Sequence, residues 1–225
     1  MISKAMTSQM AGAAGGGARL PRVGLFPPFD LLERGEKTAR TFLAQAGEAG
    51  IDHVCCGDHV SFAGAGFDGL VQATALTLLH PTLPIYSGVY LLPLRHPVLV
   101  ARQLADISRL APGRLIFGVA MAAHEAARTV RPDPPARHGM QLWCGLADSK
   151  EAARACLAPA MQAFYQLPFE RFERYCPYGT AADVAEFLTP YLDAGCTEFN
   201  LIPQSPDCDQ AMAGTAAVKR LLART

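Results

Sequence analysis

Asp58 and His59 close the run Asp52-His53-Val54-Cys55-Cys56-Gly57-Asp58-His59, so an otherwise apolar strand ends in a carboxylate and an imidazole. Imidazole titrates near neutral pH, which suits it to proton transfer. A plainer use of the same pair is Asp58 as a turn cap and His59 as a hydrogen-bonded core residue. A second apolar run, Leu83 to Leu92, contains Ser87-Gly88-Val89. A glycine within a strand marks a bulge or a close backbone approach, or is an ordinary strand glycine. No Cys-x-x-Cys pair occurs among the seven cysteines, and no cluster has metal-ligand spacing, so no metal site is expected.

These residues need a scaffold, and strand-like and helix-like segments alternate along the chain. Strands are expected at Arg22 to Phe29, stopped by Pro27-Pro28, at Ile51 to Gly57, at Leu83 to Leu92 and at Arg114 to Ala120. Helices are expected at Glu33 to Gly50, at Asp68 to His80 and at Pro97 to Leu110. In the second, Leu70, Val71, Ala73, Thr74, Leu76, Leu78 and Leu79 follow spacings of three and four that predict one apolar face. In the third, Leu99, Val100, Leu104, Ile107 and Leu110 do the same. Pro97 suits a first helical turn, and Ala111-Pro112-Gly113 ends that helix. After Ala123 the alternation breaks at the proline-rich stretch 131–137. It resumes with a strand at Gly139 to Ala147 and a helix from Asp148 to Tyr165, where Asp148 and Glu151 resemble a capping box. A helix follows at Ala181 to Ala194, with Thr180 and Asp183 at its start and Gly195 as its stop. The last strand is Glu198 to Pro203 and the closing helix Gln210 to Ala223. Six strands in alternation with helices predict a parallel α/β sheet with right-handed crossovers. In a parallel barrel the βα loops at the C-terminal ends of the strands converge on one mouth, and Asp58 and His59 stand at such an end.

Length and composition bound the possibilities. The chain has 225 residues, half of them hydrophobic, and formal net charge zero. It can bury a sizeable core, yet it is short for an eight-stranded barrel, which needs about 250 residues. No block of Lys or Arg offers a footprint for nucleic acid or anionic lipid. No apolar run is long enough for a membrane span. Cysteines within apolar strands read as reduced and buried, and the protein as cytoplasmic. Residues 1–20 read as a disordered Gly/Ala/Ser-rich tail, and 21–225 as one domain with a proline-rich junction near 131–137.

Gly57-Asp58-His59, Ser87-Gly88-Val89, Leu92-Pro93-Leu94-Arg95-His96-Pro97 and Gly113 to Val119 resemble, in order and spacing, the first half of the luciferase-like monooxygenase family. The resemblance resumes through Trp143 to Ser149, Tyr178-Gly179-Thr180 and Ala194 to Leu201. It implies a TIM-barrel-like (β/α) fold lacking strands five and six and their helices, with the gap between Val119 and Gly139. It also implies a flavin- or deazaflavin-dependent oxidoreductase, performing hydride transfer or oxygen insertion on a small organic substrate with FMN or the deazaflavin coenzyme. By the same resemblance His59, with Asp58, lies near the reactive ring, and Gly88 and Val89, joined by a non-proline cis peptide, lie behind it. Gly118 and Ala120 occupy cofactor-binding positions of the fourth strand, and the first three helices form a homodimer face.

Two departures cut against intact catalysis. Where the family continues G-x-G and often an acidic residue, this chain reads Gly118-Val119-Ala120-Met121-Ala122-Ala123. Glu125, two positions further on, reads as a solvated carboxylate ahead of a substitute for that acid, and His124 has no better support. The loops that hold the cofactor's phosphate in the family fall in the gap, and Gly12 to Gly17 lacks the strand–turn–helix context of a phosphate cradle. The alternative is therefore an impaired, shortened paralogue acting as a ligand-binding or structural subunit. Trp143 reads as core, and the aromatic group Phe164, Tyr165, Phe169, Phe172, Tyr175 and Tyr178 as a lining of the mouth or a cover over the gap.

Overall fold

The computed structural model describes residues 20–60, 66–119 and 139–224. Seven strands form one all-parallel sheet. They are β1 (Arg22–Leu25), β2 (His53–Cys56), β3 (Ile85–Tyr90), β4 (Leu115–Val119), β5 (Gly139–Leu146), β6 (Tyr178–Gly179) and β7 (Glu198–Gln204). Their spatial order is β4-β3-β2-β1-β7-β5-β6. Six α-helices accompany them among the described residues: α1 (Glu36–Glu48), α2 (Gly69–Leu79), α3 (Pro97–Leu110), α4 (Lys150–Tyr165), α5 (Ala181–Asp193) and α6 (Cys208–Leu222).

This is a TIM-barrel-like arrangement with a shortened strand set. β7, the last strand, pairs with β1, the first, on one side and with β5 on the other. The sequence count of six strands omits β6. Its two residues pair with Gly145 and Leu146 at the far edge of β5, a position fixed by tertiary contact rather than by any local pattern. Ala120, His124, Glu125, the stretch 131–137 and the N-terminal residues 1–19, including Gly12 to Gly17, lie outside the described residues.

Local chemistry explains most element ends. Asp68 caps α2 by accepting from the backbone N–H groups of Leu70 and Val71. Pro97 opens α3. The cap of α4 is Ser149, whose hydroxyl accepts from Ala152 N–H; Asp148 lies one residue too early for the role expected of it. Thr180 and Asp183 do form a reciprocal capping box on α5, and Gly195 follows that helix at φ 93°. Hydrogen bonds from Thr180, then the Lys150 ammonium, hold the Asp183 carboxyl at about 2, below its ordinary 3.8. A carboxyl lowered by folding stabilises above its unfolded value, and that contribution disappears as pH falls through the folded value. We therefore expect Asp183→Asn to flatten the acid limb of the stability profile between pH 3.8 and about 2, read by thermal unfolding across that window.

Outside the sheet, Leu25, Val54, Cys56 and Ile85 pack on α1 and α2, and Val23, Leu142, Phe199 and Leu201 pack with α5 and α6. The expected single apolar faces of α2 and α3 are only partly buried. Leu70, Ala73 and Leu76 are buried, as are Val100 and Ile107, whereas Val71, Leu78, Leu99 and Leu110 are each more than half exposed. An apolar residue adjacent to a buried one sits about 100° round the helix, which takes it off the core. All seven cysteines are free thiols. Burial pushes Cys56 up to about 12 and Cys176 up to about 11, so these are inert hydrophobes. Cys208 departs from the expectation of burial, because the start of α6 leaves it exposed. No helix among the described residues is long and apolar enough to cross a membrane.

Candidate functional site

Inside the barrel, below the mouth, sits a polar layer that sequence reading missed. His53 of β2 is fully buried, with Nε2 2.6 Å from Asn200 Oδ1 of β7 and its ring stacked 5.2 Å from Tyr86 of β3. Burial lowers the His53 pKa, so the ring is neutral, and its Nδ1 has no partner. Gly24 of β1 makes room for it: a Cβ there would run into the His53 ring at Nε2. Gly24→Ala should therefore cost about 1–3 kcal/mol through overpacking, measured by denaturant unfolding. The signal available in the sequence was parity. Along β2, His53 and Cys55 alternate with Val54 and Cys56, so His53 falls on the face opposite the one that packs on the helices.

The two predicted polar groups at the end of β2 part company. Asp58 points away from the mouth, and its carboxylate accepts from Gly69 N–H at 3.0 Å, Leu91 N–H at 2.9 Å and the Arg95 guanidinium at 2.7 Å. The Arg95 guanidinium also reaches Asp68 at 2.9 Å and lies over the Tyr90 ring. Asp58 thus ties the end of β2 to the start of α2 and the loop after β3. In this joint Asp58 positions the scaffold, since all three contacts fall on its carboxylate. Gly69 belongs to the same joint, since a Cβ there would lie 2.7 Å from Asp58 Cβ.

His59 is exposed and lines a cavity of about 910 Å³ at the C-terminal ends of β1, β2, β5 and β7. Phe26 to Asp30 and Arg34 contribute from the segment after β1, Trp143 from β5, Phe164 from α4, and Ile202 to Ser205, Asp207 and Cys208 from β7 and the chain after it. Phe29, Trp143 and Phe164 form an aromatic wall with centroids 5.3 to 6.0 Å apart, and His59 stands 6.3 Å from Phe164. Trp143 serves both as core, at 7 % exposure, and as lining; its Nε1 donates to Tyr165 Oη at 3.2 Å. Of the aromatic group expected at the mouth, Phe164 lines the cavity, and Phe169 is fully buried behind it.

Gly88, Val89 and Gly118 lie on the β3–β4 side, off this cavity. The Gly88–Val89 peptide is cis, as the family resemblance implies. The space above these glycines is taken by the chain itself. A Cβ at Gly88 would meet the Tyr86 ring at 2.8 Å and Gln141 Oε1 at 3.0 Å, and one at Gly118 would meet Ser87 O at 2.6 Å. Both glycines are needed for packing whatever else they do.

The cavity suits the ring of a redox cofactor. Its volume falls in the range of roughly 300–1,000 Å³ typical of small-molecule sites, and its walls are aromatic with one imidazole. Its fit to a phosphate is poor. Arg34 is the one guanidinium or ammonium group among the described lining residues, and it is paired with Asp30 at 2.8 Å.

The sequence profile of the family described as luciferase-like monooxygenase matches residues 23–140. Solved structures show the same fold. A secondary alcohol dehydrogenase described as F420-dependent, in complex with an F420-acetone adduct, superposes with a TM-score of 0.68 at 12 % identity, covering 91 % of this chain and 99 % of that one. The oxygenating constituent of 3,6-diketocamphane monooxygenase from Pseudomonas putida, in complex with FMN, gives 0.61 at 13 % identity, covering 91 % and 98 %. The F420-dependent tetrahydromethanopterin reductase of Methanopyrus kandleri gives 0.60 at 10 % identity, covering 88 % and 98 %. No curated protein matches the chain.

Proposed function

The chain belongs to the luciferase-like monooxygenase family, and from that premise we propose that it is a flavin- or deazaflavin-dependent oxidoreductase acting on a small organic substrate. The observation that carries this reading is the aromatic cavity at the C-terminal ends of the strands, with His59 on its wall. When bound, the cofactor supplies hydride transfer, or oxygen activation if it is a flavin. The chain's own contribution is positional and electrostatic. Phe29, Trp143 and Phe164 hold a flat ring and exclude water, and the His59 imidazole holds or delivers a proton at a substrate oxygen. Asp58 and Arg95 fix the backbone from which His59 projects.

The same reading includes a homodimer through α1 to α3, supported by the exposed apolar side chains of Val71, Leu78, Val98, Leu99 and Leu110. One observation favours a second reading, the impaired ligand-binding or structural paralogue: Tyr86 and Gln141 fill the space beside Gly88, where a ligand's ring is expected to rest. Calorimetric titration of the purified protein with FMN and with the deazaflavin coenzyme decides between them. Saturable binding of one, with Kd on the order of micromolar, supports the oxidoreductase and names its cofactor. Binding of neither by a folded protein overturns it in favour of the paralogue.

A further inference from the structure

His53 and Asn200 belong to strands that are not neighbours. The sheet order puts β1 between β2 and β7, so the 2.6 Å contact from His53 Nε2 to Asn200 Oδ1 bridges over β1 at Gly24. A Cβ at Gly24 would run into the His53 ring and stand 3.0 Å from Asn200 Oδ1, so the bridge needs a glycine there. An amide oxygen only accepts, which places the proton of the neutral ring on Nε2. Nδ1 is left as a bare lone pair, buried and without a partner. Tyr86, stacked on the ring, shares a side-chain hydrogen bond with Asn200.

The charges that face this ring are already matched. Arg22 of β1 pairs with Glu198 of β7 at 3.6 Å. Asp52, just before β2, accepts from Val23 N–H at 2.8 Å and from the Lys219 ammonium of α6 at 2.9 Å. Tyr86 of β3 and Cys55, the next inward residue of β2, are kept neutral by burial, which raises both. Burial likewise lowers the His53 pKa; the Asn200 hydrogen bond, Glu198 and Asp52 pull the other way, and Arg22 adds to the lowering. A proton added at Nδ1 therefore puts a charge into a sealed layer whose carboxylates already have Arg22 and Lys219 as partners.

We propose that His53 is an acid-sensitive latch beneath the mouth: neutral, it staples β2 to β7 across β1, and proton uptake at Nδ1 releases the two strands from one another. β2 leads to His59 and β7 carries Ile202, so release loosens two parts of the cavity wall together. The latch belongs to the fold and operates whether or not a cofactor is bound. A histidine lowered by folding takes its proton first in the unfolded chain. Its contribution is complete above the ordinary 6.5 and is lost as pH falls from there toward the folded value. One such group weakens the folding equilibrium by up to about tenfold between about pH 7.5 and about pH 5.5. His80 acts in the same direction, because its Nδ1 accepts from Thr82 and Leu83 N–H and burial lowers its pKa.

The test is denaturant unfolding of the full chain at those two pH values for wild type, His53→Gln and His80→Gln. Emission of Trp143, the only tryptophan, is followed on the folded protein, since it packs with Cys55 and Ile202 next to the polar layer. His53→Gln is expected to remove most of one tenfold factor from the acid loss and to hold Trp143 emission constant with pH. His80→Gln is expected to leave the His53 share in place. Should His53→Gln not fold, the wild-type ring decides by its nitrogen resonances, recognised by an Nε2–H protected from solvent exchange. They are expected to keep the neutral pattern while Trp143 emission is native and to change only together with it. An acid loss that is absent from wild type, unchanged in His53→Gln or wholly removed by His80→Gln overturns the proposal. So does a His53 ring that takes its proton with Trp143 emission undisturbed.

Discussion

Asp58→Ala is expected to lower the unfolding free energy by about 3–5 kcal/mol, the range measured when one partner of a buried ion pair is removed. The Asp58 side chain is fully buried, and its loss strands the N–H groups of Gly69 and Leu91 together with the Arg95 guanidinium, itself only 15 % exposed. Arg95 keeps Asp68 as a second carboxylate, which draws the loss toward the lower end. Gly69 cannot be repaired from its own side, since it has no side chain to turn toward the vacated space. Denaturant unfolding of the variant checks the figure, and a loss below about 1 kcal/mol would mean that the joint is not the anchor described here. Because α2 begins at this joint, the variant should also loosen the segment that carries His59.

The second large effect concerns chemistry. His59→Ala is expected to slow single turnover of the reduced cofactor with its small organic substrate by about 10²–10⁴, the usual contribution of a positioned acid–base group. Folding should be little affected, because His59 is exposed and Asp58 holds the strand end without it. His59→Gln, which can hydrogen-bond but cannot carry a proton, separates the two ways His59 could act. Recovery of the rate by Gln would assign it to orientation alone; continued loss together with a flattened pH profile would assign it to proton transfer.

What could be read from the chain was what neighbouring residues decide. The capping box of Thr180 and Asp183, the Pro97 start of α3, the Gly195 stop of α5 and the alternation of strands with helices are local patterns, and each appears in the fold. The fate of Asp58 was not local. Its partners lie 11, 33 and 37 residues away, and only the assembled joint shows that its oxygens are already taken. The contact between His53 and Asn200 spans 147 residues, and β6 consists of two residues whose strand pairing is with the edge of β5. The far wall of the cavity, from Gln204 to Cys208, carries no motif. It becomes part of a site because β7 lies between β1 and β5.

The central claim is that the mouth beside His59 is where the cofactor's ring and the reaction meet. The most direct measurement is the nuclear magnetic resonance spectrum of the histidine imidazoles during titration with whichever cofactor binds, His59 being assigned by its disappearance in His59→Gln. The account predicts that the His59 ring signals move saturably with the cofactor while those of His53, sealed beneath the floor, stay nearly still. Saturable cofactor binding that leaves the His59 signals unmoved would contradict it.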